Sequence, residues 1–228
     1  HALAEAAPAP AAAPSVRPLG HEGHSREELL AVSAVAASGF FVACFDAAER
    51  AGAPARGELE RLTERVFDDL AARYGPGAGG RGLLLVARAE GGGVVGCVGV
   101  ERIRLSELPG ARGLPEQPGQ QRVACMANLA VLPSARGQGV GRRLVGQAEA
   151  HVQLEMGLQD IVMTVNGGNA PARKLYESLG YRKIFEDPWA TRAVHAGGGE
   201  LRLVRARNVG YARRLFPEGE AFPDFEIA

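Results

Sequence analysis

Eight consecutive positions, RGQGVGRR from Arg136 to Arg143, hold three glycines and three arginines and follow directly on an apolar run that ends at Pro133. Glycine at 137, 139 and 141 lets the chain turn tightly and lets a ligand approach the backbone. A helix that starts at such a turn presents N–H groups with no intrahelical acceptor, and its dipole favours negative charge there. Cations in that place each cost about 0.3–1 kcal/mol against the dipole, and a bound polyanion reverses the sign. No acidic residue stands between Glu116 and Glu149 to neutralise them. The chemistry is that of an anion cradle. Two common phosphate loops do not fit, because the Walker pattern requires Lys and then Ser or Thr after its last glycine, and the dinucleotide fingerprint requires Gly where Arg142 stands. A Gly-rich surface turn with solvated arginines is the alternative that these residues alone leave open.

The turn needs a strand before it and a helix after it, and the pattern supplies both. RVACMANLAVL (122–132) is an apolar run of strand character, and Val140, Leu144, Ala148 and Val152 then recur every four positions, with Val145 widening the stripe of one amphipathic helix. Upstream, residues 27–48 and 58–73 carry apolar positions at helical spacing, the second showing Leu59, Leu62, Val66 and Leu70. Residues 82–89 and 92–105 read as strands that form a largely antiparallel meander with 122–132. The Pro/Gly-rich loop at 106–121 joins the last two. DIVMTV (160–165) is a further buried strand. NAPARKLYESLG (169–180) reads as a helix with Asn169 as its cap, Pro171 in its first turn and Gly180 as its stop. Residues 181–187 and 200–206 read as a closing hairpin around a Gly-rich loop. The order of helices and strands predicts a mixed α/β layer fold.

Composition sets limits on partners. The 228 residues carry 26 basic and 26 acidic side chains, so no global charge argues for nucleic acid or an anionic membrane. No stretch reaches the roughly eighteen unbroken apolar residues of a membrane span. Cys44, Cys97 and Cys125 are widely spaced with no C-x-x-C pair, which disfavours a disulfide framework and a zinc or other metal site. The first twenty residues hold eight alanines and four prolines without apolar periodicity, and read as a disordered segment, either a transit-peptide remnant or a plain linker. The organisation expected is therefore a disordered segment at 1–20, one domain at 21–206 and a C-terminal extension at 207–228.

The glycine turn resembles the signature of the GNAT superfamily of acyl-CoA N-acyltransferases, Arg/Gln-x-x-Gly-x-Gly/Ala, matched by Arg136, Gly139 and Gly141. NGGNAPARKLYESLGYRK resembles the second motif of that family, and the two motifs in this order span residues 122–184. The resemblance implies an α/β (α+β) GNAT fold: a mostly antiparallel twisted sheet of six to seven strands, about four helices, and a splayed strand pair that takes up acetyl-CoA as co-substrate. It further implies that the cofactor diphosphate lies on the backbone of Gly137, Gln138, Gly139, Val140, Gly141 and Arg142, with Arg136 beside it. The pantetheine arm pairs with Leu129, Ala130 and Val131, and Gly168, Asn169 and Ala170 contact it. Tyr176 matches the tyrosine that protonates the departing thiolate, a task suited to a phenol of pKa about 10. An oxyanion donor is expected from a strand N–H near Val131. Where some family members hold a glutamate base, this chain has Thr164; Glu101, His151 and a water chain stay open, and the base is unassigned. Without the motif, Tyr176 would read as a half-buried tyrosine packed on the sheet.

Asn128, SARGQG and EDPWATRA (186–193) are similar to features of the plastid branch of the family, while Arg136, Gly137 and GVG follow a variant shared with bacterial members. The expectation is a chloroplast enzyme of the stroma, with a bacterial or other cytoplasm as the alternative. It would acetylate protein N-termini and lysine side chains, with peptide recognition by the loops at 106–121 and 187–200. Small amines such as polyamines, or a non-catalytic acetyl-CoA sensor, are the competing readings. Oligomeric state is not legible.

Overall fold

Strand formation begins earlier than its composition suggests. The computed structural model describes residues 13–19, 25–42, 56–75, 78–79, 81–111, 122–197 and 200–215. β1 (Ser15–Pro18) pairs antiparallel with β2 (Gly82–Arg88), inside the segment expected to be disordered. Two apolar side chains explain this: Val16 packs on one face of the sheet, and Leu19, just past the strand, is buried on the other. Residues 1–12, Cys44, the expected helical stretch 43–48, most of the 106–121 loop and the tail from 216 lie outside the described residues.

The Leu/Val-rich β2, β3 (Val94–Ile103) and β4 (Val123–Val131) form the expected antiparallel meander. β5 (Asp160–Asn166) then lies parallel to β4, and β6 (Arg182–Asp187) closes the far edge. Among the described residues, seven strands in the order β1-β2-β3-β4-β5-β9-β6, with β9 at Asn208–Arg214, make one sheet, and four α-helices flank it, in agreement with the expected mixed α/β architecture.

Each face has its own core. α3 (Val140–Leu154) presents Val140, Leu144, Val145, Ala148 and Val152 to Leu83, Leu85, Val98, Val100, Ile161 and Met163. α4 (Ala170–Ser178) joins that face through Leu175 and Tyr176. On the opposite face, α1 (Arg26–Ala37) and α2 (Arg56–Tyr74) cover Leu84, Val86, Cys97 and Ala130. Segment 105–111 covers the remainder there, laying Leu105, Leu108 and Ala111 over Val123, Cys125, Val162 and Ala212. α1 ends at Ala37 and passes into a π turn, Ser38–Val42, where one longer helix had been expected. No described helix is long and apolar enough to cross a membrane.

The closing hairpin is not formed as expected. β8 (Glu200–Arg205) pairs with β7 (Thr191–Gly197) in a separate two-stranded sheet. The partner of β6 is instead β9 (Asn208–Arg214), which inserts between β5 and β6. Residues 207–215 are thus integral to the sheet and not an extension. Val209 and Tyr211 alternate into the α3 side of the core and are 0% and 1% exposed, which a solvated tail would not permit. On the other side, Ala212 is buried and Gly210 lies under the Phe185 ring so closely that any Cβ would strike it. Asp160, at the start of β5, is 5% exposed and is neutralised by Arg214 at 3.0 Å.

A larger side chain at 210 must displace Phe185 from between the sheet and segment 105–111. Gly210→Val is expected to destabilise the fold by about 1–3 kcal/mol through overpacking, read as a lower urea midpoint with unchanged slope.

Candidate functional site

The glycine turn adopts the geometry its composition calls for. Gly137 (φ 76°) and Gly139 (φ 74°) both occupy the left-handed region, and Gly139 is the N-cap of α3 with no side chain capping the helix. A Cβ at either position would meet nothing within 4 Å. Glycine is therefore needed here for its φ and for open approach to the backbone, and not to relieve crowding. Gly141 differs: a Cβ there would stand 3.3 Å from Leu175, so its lack of side chain lets α3 and α4 come together. The first α-helical bond runs from Arg143 N to Gly139 O at 3.0 Å. The N–H groups of Val140, Gly141 and Arg142 precede it and have no intrahelical acceptor.

The arginines are partly anchored. Arg136 Nε donates to the Val131 carbonyl at 3.2 Å, Arg142 Nη2 donates to Ser178 Oγ at 2.8 Å, and Arg143 Nη2 donates to the Gln138 carbonyl at 3.2 Å. Arg143 Nε is buried without an acceptor among the described residues. Three guanidinium groups thus frame one helix start that carries no acid in its first turn, an arrangement suited to a multiply charged anion.

Beside the turn, β4 and β5 separate. Their parallel pairing consists of Ala124 with Ile161 and Cys125 with Val162, and beyond Cys125 the strands share no register. A cavity of about 440 Å³ opens against the part of β4 beyond that pairing. Its walls include Leu129, Ala130, Val131, Arg136, Gly137, Gly139, Val140, Gly141, Arg142 and Asn169, all anticipated from the sequence. Asn169 also caps α4, its Oδ1 accepting from Ala172 N at 3.1 Å. Gly39, Phe40, Ala135, Pro171, Ala172 and Leu175 complete the lining and were not anticipated. Phe40 belongs to the π turn, which carries it past the regular helical period; the FF pair at 40–41 was the available signal.

Four anticipated residues lie outside that lining. Gln138 turns its side chain to the Ser134 carbonyl, and the N–H groups of Gly168 and Ala170 are taken by Asn166 Oδ1 and the Gly168 carbonyl. Tyr176 is 6% exposed and lies in the core behind Leu175, edge-on to Tyr181 at 5.7 Å and tilted against Tyr211 at 6.1 Å. Burial raises its phenol well above the ordinary tyrosine value. Tyr181 donates to Glu149 at 2.9 Å and Tyr211 to Glu177 at 2.7 Å, so two of the three tyrosines have carboxylate acceptors.

Of the candidate bases, Glu101 lies on the α2 side of the sheet, held by Arg73 at 2.9 Å, and His151 lies in the last turn of α3. No cluster of His, Cys, Asp or Glu among the described residues has the makings of a metal site. A second cavity, about 720 Å³, opens between residues 106–110 and 186–191 and is bordered by Glu107, Glu186, Asp187 and Trp189. These are parts of the two loops expected to meet an acceptor.

Residues 80–183 match the model of the acetyltransferase (GNAT) domain, from just before β2 to the start of β6. A stretch of 68 residues is 34% identical to mycothiol acetyltransferase of Salinispora tropica, covering 30% of this chain and 22% of that protein. The match therefore spans about a fifth of that relative's length. Among solved structures, the chain resembles a Salmonella typhimurium protein described as an acetyltransferase and solved with its cofactor acetyl-CoA (TM-score 0.55, 18% identity, 94% of this chain and 99% of that one). It also resembles the ribosomal-protein-alanine N-acetyltransferase of Brucella melitensis (TM-score 0.53, 18% identity, 88% and 99%). At these identities the likeness establishes the fold, which is the GNAT fold.

The geometry of the turn makes its own prediction. Gly139→Asp places a carboxylate beside the exposed N–H groups and forces an L-residue into a left-handed conformation. Affinity for inorganic diphosphate, measured by calorimetry, is expected to fall about tenfold or more, since a like charge replaces the favourable helix end.

Proposed function

We propose that this chain transfers the acetyl group of acetyl-CoA to a primary amine, with protein N-terminal α-amino groups and lysine ε-amino groups as acceptors. One observation carries the reading: the left-handed glycine turn and the stretch of β4 beyond its last pairing with β5 line a single cavity. A diphosphate with an amide-bearing arm is a ligand of the right chemistry for both parts. The orphaned N–H groups at 140–142 and the lining arginines Arg136 and Arg142 fit the diphosphate. The edge of β4 at Leu129, Ala130 and Val131 fits the arm, by the backbone pairing a further strand would make.

Acetyl-CoA, when bound, supplies an activated thioester. The chain's own residues do the rest. Backbone N–H groups hold the anionic end and so fix where the acyl group sits, and a strand N–H near Val131 stabilises charge developing on the carbonyl oxygen. The motif match assigns Tyr176 to protonate the departing sulfur, and because its ring lies behind Leu175 and outside the cavity lining, the thioester end must reach past Leu175 to meet it. Because burial raises its phenol, it is fully protonated at every working pH, as a proton donor must be. With Thr164 at the motif position of the base and Glu101 committed to Arg73, the chain favours acceptors that reach neutrality readily. An α-amino group, pKa about 8, meets that condition better than a lysine near 10.4.

A small-molecule amine is the second reading, favoured by the 34% identity over 68 residues to a mycothiol acetyltransferase. Incubation with acetyl-CoA, a mixed peptide library and a panel of polyamines and amino sugars, read by mass spectrometry, distinguishes them. Acetylated peptide N-termini or lysines support the proposal, product on small amines alone overturns the protein-acceptor claim, and tight cofactor binding with no product points to a sensor. The similarity of EDPWATRA to the plastid branch supports a place in the chloroplast stroma. Imaging the complete gene product fused to a fluorescent protein tests this, and a signal outside plastids overturns it.

Tyr176→Phe is expected to lower kcat about 100-fold or more, the usual contribution of a general acid, with the Kd for acetyl-CoA nearly unchanged. In the wild type, rate against pH is expected to show no descending limb from this group up to pH about 10, the ordinary tyrosine value, because the raised phenol loses its proton only above it.

A further inference from the structure

Asn128 is the one described residue other than glycine with a left-handed backbone, φ 58°. It sits where β4 carries one residue more than β3: Ala127 lies opposite Gly99, whereas Ala130 lies opposite Cys97. This bulge directly precedes Leu129, the first β4 residue to line the cavity. Asparagine tolerates this conformation better than most residues, but such a geometry persists only where the surroundings hold it.

The surroundings come from α2. Tyr74, its last residue, is 6% exposed and crosses two strands to reach the bulge. At Gly82 a Cβ would stand 2.9 Å from its ring, and at Gly99 a Cβ would strike its hydroxyl, so these glycines form a slot in β2 and β3. Through that slot the hydroxyl accepts a hydrogen bond from Asn128 Nδ2 at 3.4 Å. Arg73, which pairs with Glu101 at 2.9 Å, also hydrogen-bonds Tyr74. The Asn128 carbonyl in turn accepts from Cys97 Sγ at 3.5 Å. Both the side chain and the backbone of Asn128 are thus engaged on the α1/α2 side, away from the glycine turn.

We propose that Tyr74 is a positioning residue for acyl transfer. Its hydroxyl locks the Asn128 bulge, and the bulge sets the direction in which Leu129, Ala130 and Val131 face the gap between β4 and β5. The kinetic part rests on the proposed acetyl transfer, whereas the structural part does not.

The test uses Tyr74→Phe, Asn128→Gly and the double variant in the full chain, after an unfolding melt confirms that each folds. Amide hydrogen exchange over residues 127–131 is expected to rise about tenfold in Tyr74→Phe, the effect of losing one hydrogen bond of about 1.4 kcal/mol. Exchange in α3 and β9 stays as in the wild type. kcat falls about tenfold while the KM for acetyl-CoA changes by less than about twofold. Glycine holds φ 58° without assistance, so in the Asn128→Gly background Tyr74→Phe changes neither readout further. Unchanged exchange in Tyr74→Phe, or equal losses of kcat in both backgrounds, overturns the proposal. A wild type that binds acetyl-CoA but transfers no acetyl group overturns the functional reading alone, with the exchange data still deciding the lock.

Discussion

Two parallel strands that pair at Ala124 and Cys125 and then part are the constraint on which this molecule is organised. An interior pair of strands ordinarily continues its ladder, because each buried backbone group left unpaired costs about 1–3 kcal/mol. Here the ladder is given up and the cost is borne by the packing on either face. Below the gap, Gly141 lets α3 approach Leu175 of α4. Above it, Gly39 sits so close to Ala130 that a Cβ would stand at 3.0 Å. The result is a backbone edge in the middle of a sheet, enclosed on both faces and ready to pair with something that is not a strand of this protein.

Charge follows the same plan. The sheet ends at a helix start with neither an acidic residue nor a side-chain cap, whereas α1 has Ser25 as its cap and Glu27 and Glu28 in its first turn. One chain thus contains a self-satisfied helix start and one whose electrostatics await a ligand. Behind the gap, Tyr181 and Tyr211 are tied to carboxylates while Tyr176 packs between them, kept neutral by desolvation.

Local chemistry was the legible part. The αL turn, the Asn169 cap, the α3 stripe and each separate strand of the meander follow from residues close in sequence, where turn propensity and period are strong. The parts that escaped depend on distant partners. β1 offers Val16, with Leu19 just beyond it, and only the β2 edge makes this stretch a strand. NVGYARR falls in the stretch expected as a C-terminal extension, yet its glycine makes room for Phe185 and Arg214 neutralises a buried aspartate, both distant in sequence. Pairing 181–187 with 200–206 was the economical choice by chain distance, and the β7–β8 sheet intervenes. At the site, ten of the lining residues came from motif positions, while Phe40 required the π turn to carry it there.

The place of β9 bears on how the protein comes into being. This strand is the last described element in the chain, yet it lies between β5 and β6, both made earlier. While the ribosome is still extending the chain toward residue 214, β5 and β6 each expose an edge and the apolar face destined for Val209 and Tyr211 stands open to water. The sheet can close only after β9 has emerged, so its completion waits on contacts with strands made well before it, the kind of distant pairing that slows folding.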